Sequence, residues 1–302
     1  MKAIPKSRVT LARTDDRASG VQQAIRALAV NPAKNKDVLI KPNFNTADPA
    51  PGSTHNDTLM ALVDEVWLMG ARSICVGERS YPRTASVMEA KGIAPLLEAR
   101  DVRMIDFDAL PAEDWVKVDA AGSHWRDGFR VARPVLEADC LVSTGCLKTH
   151  QFGGVFTLSL KLHVGVVPTT RHGYDYMAEL HGSPYQQELI AEINAPFAPD
   201  LVVMDGVEVF VDGGPATGKR VRGDVVLAAT DRVAIDAVGV AILKHLGSNA
   251  PVMTRPIFAQ KQIARAVEMG LGADSAEAIE LVATDPAGED FRDRVAAILS
   301  QG

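Results

Sequence analysis

The sequence predicts an α/β fold, a mostly parallel sheet covered by helices on both faces and followed by a helical C-terminal extension. Two observations carry this expectation. Short β-branched apolar runs alternate with longer segments of helical period, and polar or charged clusters follow one strand after another. Length and composition agree with it, because 302 residues with 47% hydrophobic and 23% charged side chains can build a core and are too apolar for a disordered chain. Aromatic residues make up only 5%, which leaves Ala, Val, Leu and Ile to fill most of the interior.

In chain order, strands are expected over residues 9–12, 37–41, 73–76, 102–107, 140–144, 201–204 and 224–229. Helices are expected over 18–30, 57–69, 85–100, 185–195, 234–246, 256–269 and 290–299. Asn56 and Asp57 stand before Leu59, Leu62, Val63 and Val66 as a helix start, and Ser183-Pro184 precedes Glu188 in the same way. A shorter helix over 155–164 would put Thr157 and Lys161 on one face and Phe156, Leu160 and His163 on another. The irregular stretch 108–133, with Trp115, Gly122, His124, Trp125 and Gly128, reads as a β-hairpin insertion, and 165–184 as a lid-like loop. No linker divides the chain, so residues 1–247 form one α/β domain and 248–302 the helical extension.

Charge and cysteine content narrow the function classes. A net charge of −6 gives no general cationic face for phosphate backbones, so no nucleic-acid partner is expected. Cys75, Cys140 and Cys146 form no C-x-x-C pair and read as reduced thiols of a cytoplasmic protein. Three cysteines cannot supply four thiolates, so no self-contained iron–sulfur cluster is expected. Residues 1–10 lack the apolar stretch of a signal peptide, and the longest apolar run, 233–243, is short and interrupted by Asp236, so no membrane partner is expected. The oligomeric state is not legible.

In a parallel α/β sheet ligands bind beyond the carboxyl ends of the strands. Lys41, Asn43 and Asn45 follow the second strand, Glu78 and Arg79 the third, Lys148, Thr149 and His150 the fifth, Asp205 the sixth and Thr230-Asp231 the last. Five loops would thus deliver polar groups to one edge. Gly213 and Gly214 open a P-loop-like stretch in which Arg220 stands where a magnesium-binding Ser or Thr belongs. They are expected instead as a glycine-rich turn offering backbone N–H groups at the rim of the site.

The densest chemistry runs from Lys148 to His181. Four of the 7 histidines lie there, His150, His163, His172 and His181, and these are the candidate ligands for a divalent metal, although their spacing matches no compact motif. Lys161 stands among Leu158, Leu160 and Leu162, where desolvation would lower its pKa and make it a base, nucleophile or anion clamp. Asp236, the one charged side chain from Val233 to Leu243, needs a partner or a raised pKa and would support Lys161.

These residues together resemble the bacterial and archaeal domain of unknown function family 362. The likeness lies in I-K-P-N at 40–43, T-H at 54–55, G-E-R-S at 77–80, L-K-T-H at 147–150, T-x-x-x-K at 157–161, M-D-G at 204–206, G-G-P at 213–215 and D-x-x-A-x-D at 231–236. Many members are described as iron–sulfur proteins with an attached ferredoxin-like module, which has no counterpart in the cysteines here. Where members often carry Asn after the lysine, this chain has Leu162-His163.

The expected function is an enzyme acting on a small anionic or carbonyl-bearing metabolite. Lys41, Arg79 and Lys148 would hold negative charge, His150 or His163 would transfer protons, and Lys161 would act as a base or electrostatic stabiliser with Asp236 behind it. Two alternatives stand beside it. One is a metal- or nickel-cofactor-dependent isomerase or redox enzyme; the other is a non-catalytic partner of a separate iron–sulfur redox protein.

Overall fold

The computed structural model describes residues 6–119 and 121–301. β1 (Ser7–Arg13), α1 (Arg17–Leu28), β2 (Asp37–Lys41), α2 (Asn56–Leu68) and β3 (Ser73–Glu78) follow the pattern read from the sequence. Asp16 caps α1 by accepting the N–H groups of Ala18 and Ser19. The single helix expected over 85–100 is instead two, α3 (Thr84–Ala90) and α4 (Ala94–Glu98), because Gly92 turns the chain at a φ of 58°. β4 (Arg103–Asp106) follows, and β5 (Trp115–Val118) pairs antiparallel with β6 (Phe129–Ala132) inside the stretch 108–133. Then come α5 (Arg133–Glu137) and β7 (Cys140–His150), the latter longer than the 140–144 expected.

The helix expected over 155–164 is a misreading. Val155–Thr157 is β8, pairing antiparallel with the end of β7, and only Ser159–Leu162 forms the one-turn α6. Ladder hydrogen bonds to β7 outweigh the helical spacing of these residues. The segment expected as a lid-like loop, 165–184, holds β9 (Thr170–Arg171), β10 (Tyr174–Asp175) and α7 (Tyr176–Gly182), followed by α8 (Gln186–Glu192). β11 (Leu201–Gly213), β12 (Gly218–Arg222), β13 (Val225–Ala229) and α9 (Arg232–His245) complete the central part. The C-terminal end is helical, with α10 (Ala250–Thr254), α11 (Lys261–Glu268) and α12 (Glu289–Ser300). It also holds a strand the sequence did not reveal, β14 (Ile279–Ala283), which takes the free edge of β1.

The main sheet runs β14-β1-β13-β11-β7-β2-β3-β4 and is mostly parallel. β13 is the reversed strand, antiparallel to β1 and to β11. This corrects one expectation: Thr230-Asp231 lies at the edge opposite to the other four loops. There Asp231 accepts the N–H groups of Val233 and Ala234 as the N-cap of α9.

Strand alternation sends side chains to separate cores. Val226 and Ala228 of β13 join Val38 and Ile40 of β2 under α1 and α2, while Val225 and Leu227 face the opposite side under α9, α11 and α12. On that opposite side Leu39 and Leu141 pack beneath the β5–β6 hairpin and α8. Both faces are therefore covered, and the free carboxyl edge of β2, β3 and β7 is where polar groups collect. Among the described residues no helix is long and apolar enough to cross a membrane.

Candidate functional site

A cavity of about 750 Å³ opens at that edge. Lys41 is the last residue of β2 and Glu78 the last of β3, while the neighbouring β7 runs on past Ser143, the partner of Lys41, to end at His150, and all three side chains line the cavity. Asn43, Asn45, Arg79, Lys148, Lys161 and His181 also line it.

Lys41 and Glu78 form a buried pair, with Lys41 Nζ 2.6 Å from Glu78 Oε1. Glu78 also accepts the backbone N–H of Phe44 at 2.7 Å and of Arg79 at 2.9 Å. Burial pushes the Lys41 ammonium down and the Glu78 carboxyl up, and their attraction opposes both shifts. Arg79 donates from its terminal nitrogens to Val164 O at 3.1 Å and Thr169 Oγ1 at 3.3 Å, while its buried Nε has no partner.

Lys148 and Thr157 stand opposite each other on β7 and β8. The Lys148 ammonium donates to the carbonyl oxygens of Gly52 and Pro215 and is pushed down by burial. After β8 the chain turns back through α6, where Asp236 of α9 accepts the N–H groups of Ser159 at 2.7 Å and Leu160 at 3.0 Å. This tie brings Lys161 round to the cavity. Lys161 has no hydrogen-bond or ion-pair partner among the described residues, and burial, with Lys148 and Arg79 near, pushes it down to about 7.

Gly154 sits between Lys161 and His150. A Cβ there would lie 2.6 Å from Lys161 Cε and 3.1 Å from His150 Nδ1, so only the absence of a side chain lets both groups approach. Burial, with the Lys161 and Lys148 charges, pushes His150 down to about 2, which leaves a neutral imidazole whose Nδ1 is unpartnered.

Other sequence candidates lie away from the cavity. His163 is fully buried between Ser143 and Asn194 and does not line the cavity. Asp236 is an anchor of α6 rather than a cavity group. Asp205 holds Arg17 at 2.8 Å and accepts from Thr58 at 2.7 Å. Thr149 Oγ1 donates to Phe210 O. Gly213 and Gly214 form the turn that leads to Pro215, which itself reaches the cavity. His172 lies at the tip of the β9–β10 ribbon, with φ 51°.

Residues that sequence reasoning missed are the neutral ones. Gln186 lines the wall and its Nε2 lies 3.4 Å from His181 Nδ1. Tyr81 and Phe152 line the mouth with their rings largely in solvent, and Met177 lies deeper. Neutral side chains carry no charge signal, and Met177 and Gln186 come here only through the packing of α7 on α8.

Residues 38–241 match the family described as Domain of unknown function (DUF362). The chain belongs to this family. "Thylakoid-associated protein sll1697" of Synechocystis sp. is 25% identical to this DUF362 chain over 219 residues, covering 72% of it and 65% of that protein. Among solved structures, the lactate racemase apoprotein from Thermoanaerobacterium thermosaccharolyticum aligns with a TM-score of 0.45 at 17% identity, over 67% of this chain and 50% of that one. The dehydroquinate dehydratase and shikimate dehydrogenase from S. pombe AroM aligns with a TM-score of 0.21 at 16% identity, over 44% and 18%. The chain thus spans less than two thirds of each relative's length.

Two chemical expectations, iron–sulfur association from the DUF362 resemblance and metal binding from the histidines of 148–181, meet the geometry here. Cys75, Cys140 and Cys146 are free, and burial pushes the Cys140 thiol up to about 12 and Cys146 up to about 11. Among the described residues no three His, Cys, Asp or Glu side chains group as metal ligands. The four candidate histidines do not converge: His150 and His181 line the cavity, and His163 and His172 do not. A bare divalent cation at His150 would also meet the charges of Lys148, Lys161 and Arg79.

Proposed function

We propose that this protein is an enzyme that binds a small carbonyl-bearing organic anion in the cavity and moves a proton on it. One observation carries the reading: Arg79, Lys148 and Lys161 are three buried basic side chains on one cavity, none with a carboxylate within ion-pair distance among the described residues. An unpaired buried charge costs several kcal/mol, and a bound anion offsets that cost. Asn43 Nδ2, Arg79 Nε, His150 Nδ1 and Thr157 Oγ1 belong to residues that line the same cavity and are buried without partners among the described residues, and a polar ligand would satisfy them.

The roles follow from the partners each group already has. Lys148 is fixed by two carbonyl oxygens and serves as a clamp that attracts the anion. Arg79 is held by Val164 and Thr169 and directs its free Nε to the same anion. Lys161, with a pKa brought near neutrality, accepts a proton, and neutral His150 across Gly154 relays it.

Titration calorimetry with pyruvate and with phenylpyruvate tests this reading. Lys148→Ala and His150→Ala are expected to lose the binding while melting as the parent protein does. Unchanged affinity in both variants would sink the reading.

A further inference from the structure

Three lysines line the cavity, and they are not equivalent. Lys41 donates to Pro42 O at 2.6 Å and is paired with Glu78. Lys148 donates to the Gly52 and Pro215 carbonyls. Fixed acceptors of this kind favour the protonated form of each nitrogen, and an ammonium has no lone pair with which to attack. Lys161 alone of the three has no acceptor among the described residues, although it too is buried.

We propose that Lys161 is a nucleophile that forms an imine with a 2-oxo acid held in this cavity. The inference rests on the anion-binding reading above and names its substrate class. Every requirement of the chemistry has a counterpart on the page. The amine must be neutral, and both burial and the nearby Lys148 and Arg79 cations favour the neutral form. The carbonyl carbon must be brought to it, and a carboxylate on the adjacent carbon would be drawn to Lys148 and Arg79. A group must carry a proton between nitrogen and oxygen, and His150 Nδ1 is buried without a partner on the other side of Gly154.

The step balances without any further reagent. The Lys161 Nζ lone pair attacks the carbonyl carbon, and the carbon–oxygen π pair moves to oxygen. One nitrogen proton passes to that oxygen through His150 and gives a carbinolamine. The second nitrogen proton leaves with the hydroxyl as water while the carbon–nitrogen double bond forms. No oxidation state changes.

Size indicates which 2-oxo acids fit. A cavity of about 750 Å³ lies in the range that holds drug-sized ligands and is far larger than a three-carbon acid requires. Tyr81 and Phe152 at the mouth offer exposed rings, and Met177 a soft wall, to an apolar or aromatic substituent at carbon 3. Phenylpyruvate is accordingly the better probe, with pyruvate as the small comparison.

The test traps the imine. The full chain is incubated with phenylpyruvate, reduced with sodium cyanoborohydride, digested and mapped by mass spectrometry, while calorimetry without reductant measures binding. One reduced adduct on the peptide that contains Lys161, absent in Lys161→Arg, is the expected result. Peptide mapping of the parent protein decides the matter even where the variant folds poorly. Binding without an adduct at Lys161, or adducts spread over exposed lysines only, overturns the imine and leaves the anion site standing. No binding of either acid, with no adduct, overturns both.

Discussion

The Oδ1 atom of Asp236 accepts the backbone N–H of Ser159 at 2.7 Å, and this contact ties α9 to the single turn that carries Lys161. Ser159 and Leu160 both spend their N–H groups on the one carboxylate. A turn as short as α6 cannot hold itself, so its direction into the cavity is set from outside.

Asp236→Ala strands two buried N–H groups and is expected to cost about 1–3 kcal/mol for each. Asp236→Asn keeps an acceptor oxygen and should cost less. Burial pushes the Asp236 carboxyl from 3.8 up to about 8. Between those values the folded protein holds a proton that the unfolded chain has released, so the stability tied to Asp236 falls as pH rises through that window. Urea denaturation across the window is expected to show a flatter pH dependence in Asp236→Asn than in the parent. An unaltered slope counts against a protonated Asp236.

Gly154→Ala separates the site from the fold. The added methyl would meet Lys161 Cε at 2.6 Å and His150 Nδ1 at 3.1 Å, both on side chains rather than backbone. Lys161 can swing aside, so a stability loss of at most about 1–3 kcal/mol is expected, the usual range for overpacking. Binding of phenylpyruvate by calorimetry should fall at least tenfold, about 1.4 kcal/mol. Retained affinity would show that Lys161 and His150 do not act as neighbours.

Lys161 gives the site a pH signature. Its pKa is pushed down from 10.5 to about 7 by burial and by Lys148 and Arg79, with neutral His150 and the exposed His181 completing its surroundings. Between 7 and 10.5 the unfolded chain binds a proton that folded Lys161 has released, so stability rises with pH across that window, and Lys161→Met should remove the rise. Trapping of phenylpyruvate needs the neutral amine and should increase as pH climbs through 7. A trapping rate that does not change from pH 6 to pH 8 would contradict the assignment.

Local signals made much of this legible. Val38-Leu39-Ile40 and Ile74-Cys75-Val76 announce buried parallel strands, and Lys148, His150 and Lys161 stand out because charged groups rarely follow such runs. What escaped was set by pairing between distant segments. Nothing in 225–229 records that β13 runs against both neighbours, and Ile279–Ala283 becomes a strand only because β1 offers an edge. The 155–164 stretch carries helical spacing that the β7 ladder overrides. His163 looked like a site residue because its neighbours in sequence are; two residues after Lys161 it faces the other way.

His163 provides the contrast that separates a buried structural histidine from a site histidine. Its Nδ1 lies 2.7 Å from Asn194 Oδ1, an oxygen that can only accept, while Asn194 Nδ2 donates to Leu160 O and Ile190 O. Nδ1 therefore carries the proton, and Nε2 accepts from the Ser143 hydroxyl at 2.9 Å. The ring thus joins β7, α6 and α8 through one closed network. Burial pushes its pKa from 6.5 down to about 3, so the stability it contributes is full above the ordinary histidine value and is lost as pH falls toward 3. His163→Leu leaves Ser143 and the Asn194 oxygen without partners and is expected to cost roughly 2–4 kcal/mol in denaturation at pH 7, with phenylpyruvate affinity nearly unchanged. His150→Ala should do the reverse, sparing stability and losing the ligand. Loss of binding in His163→Leu at full stability would return His163 to the site.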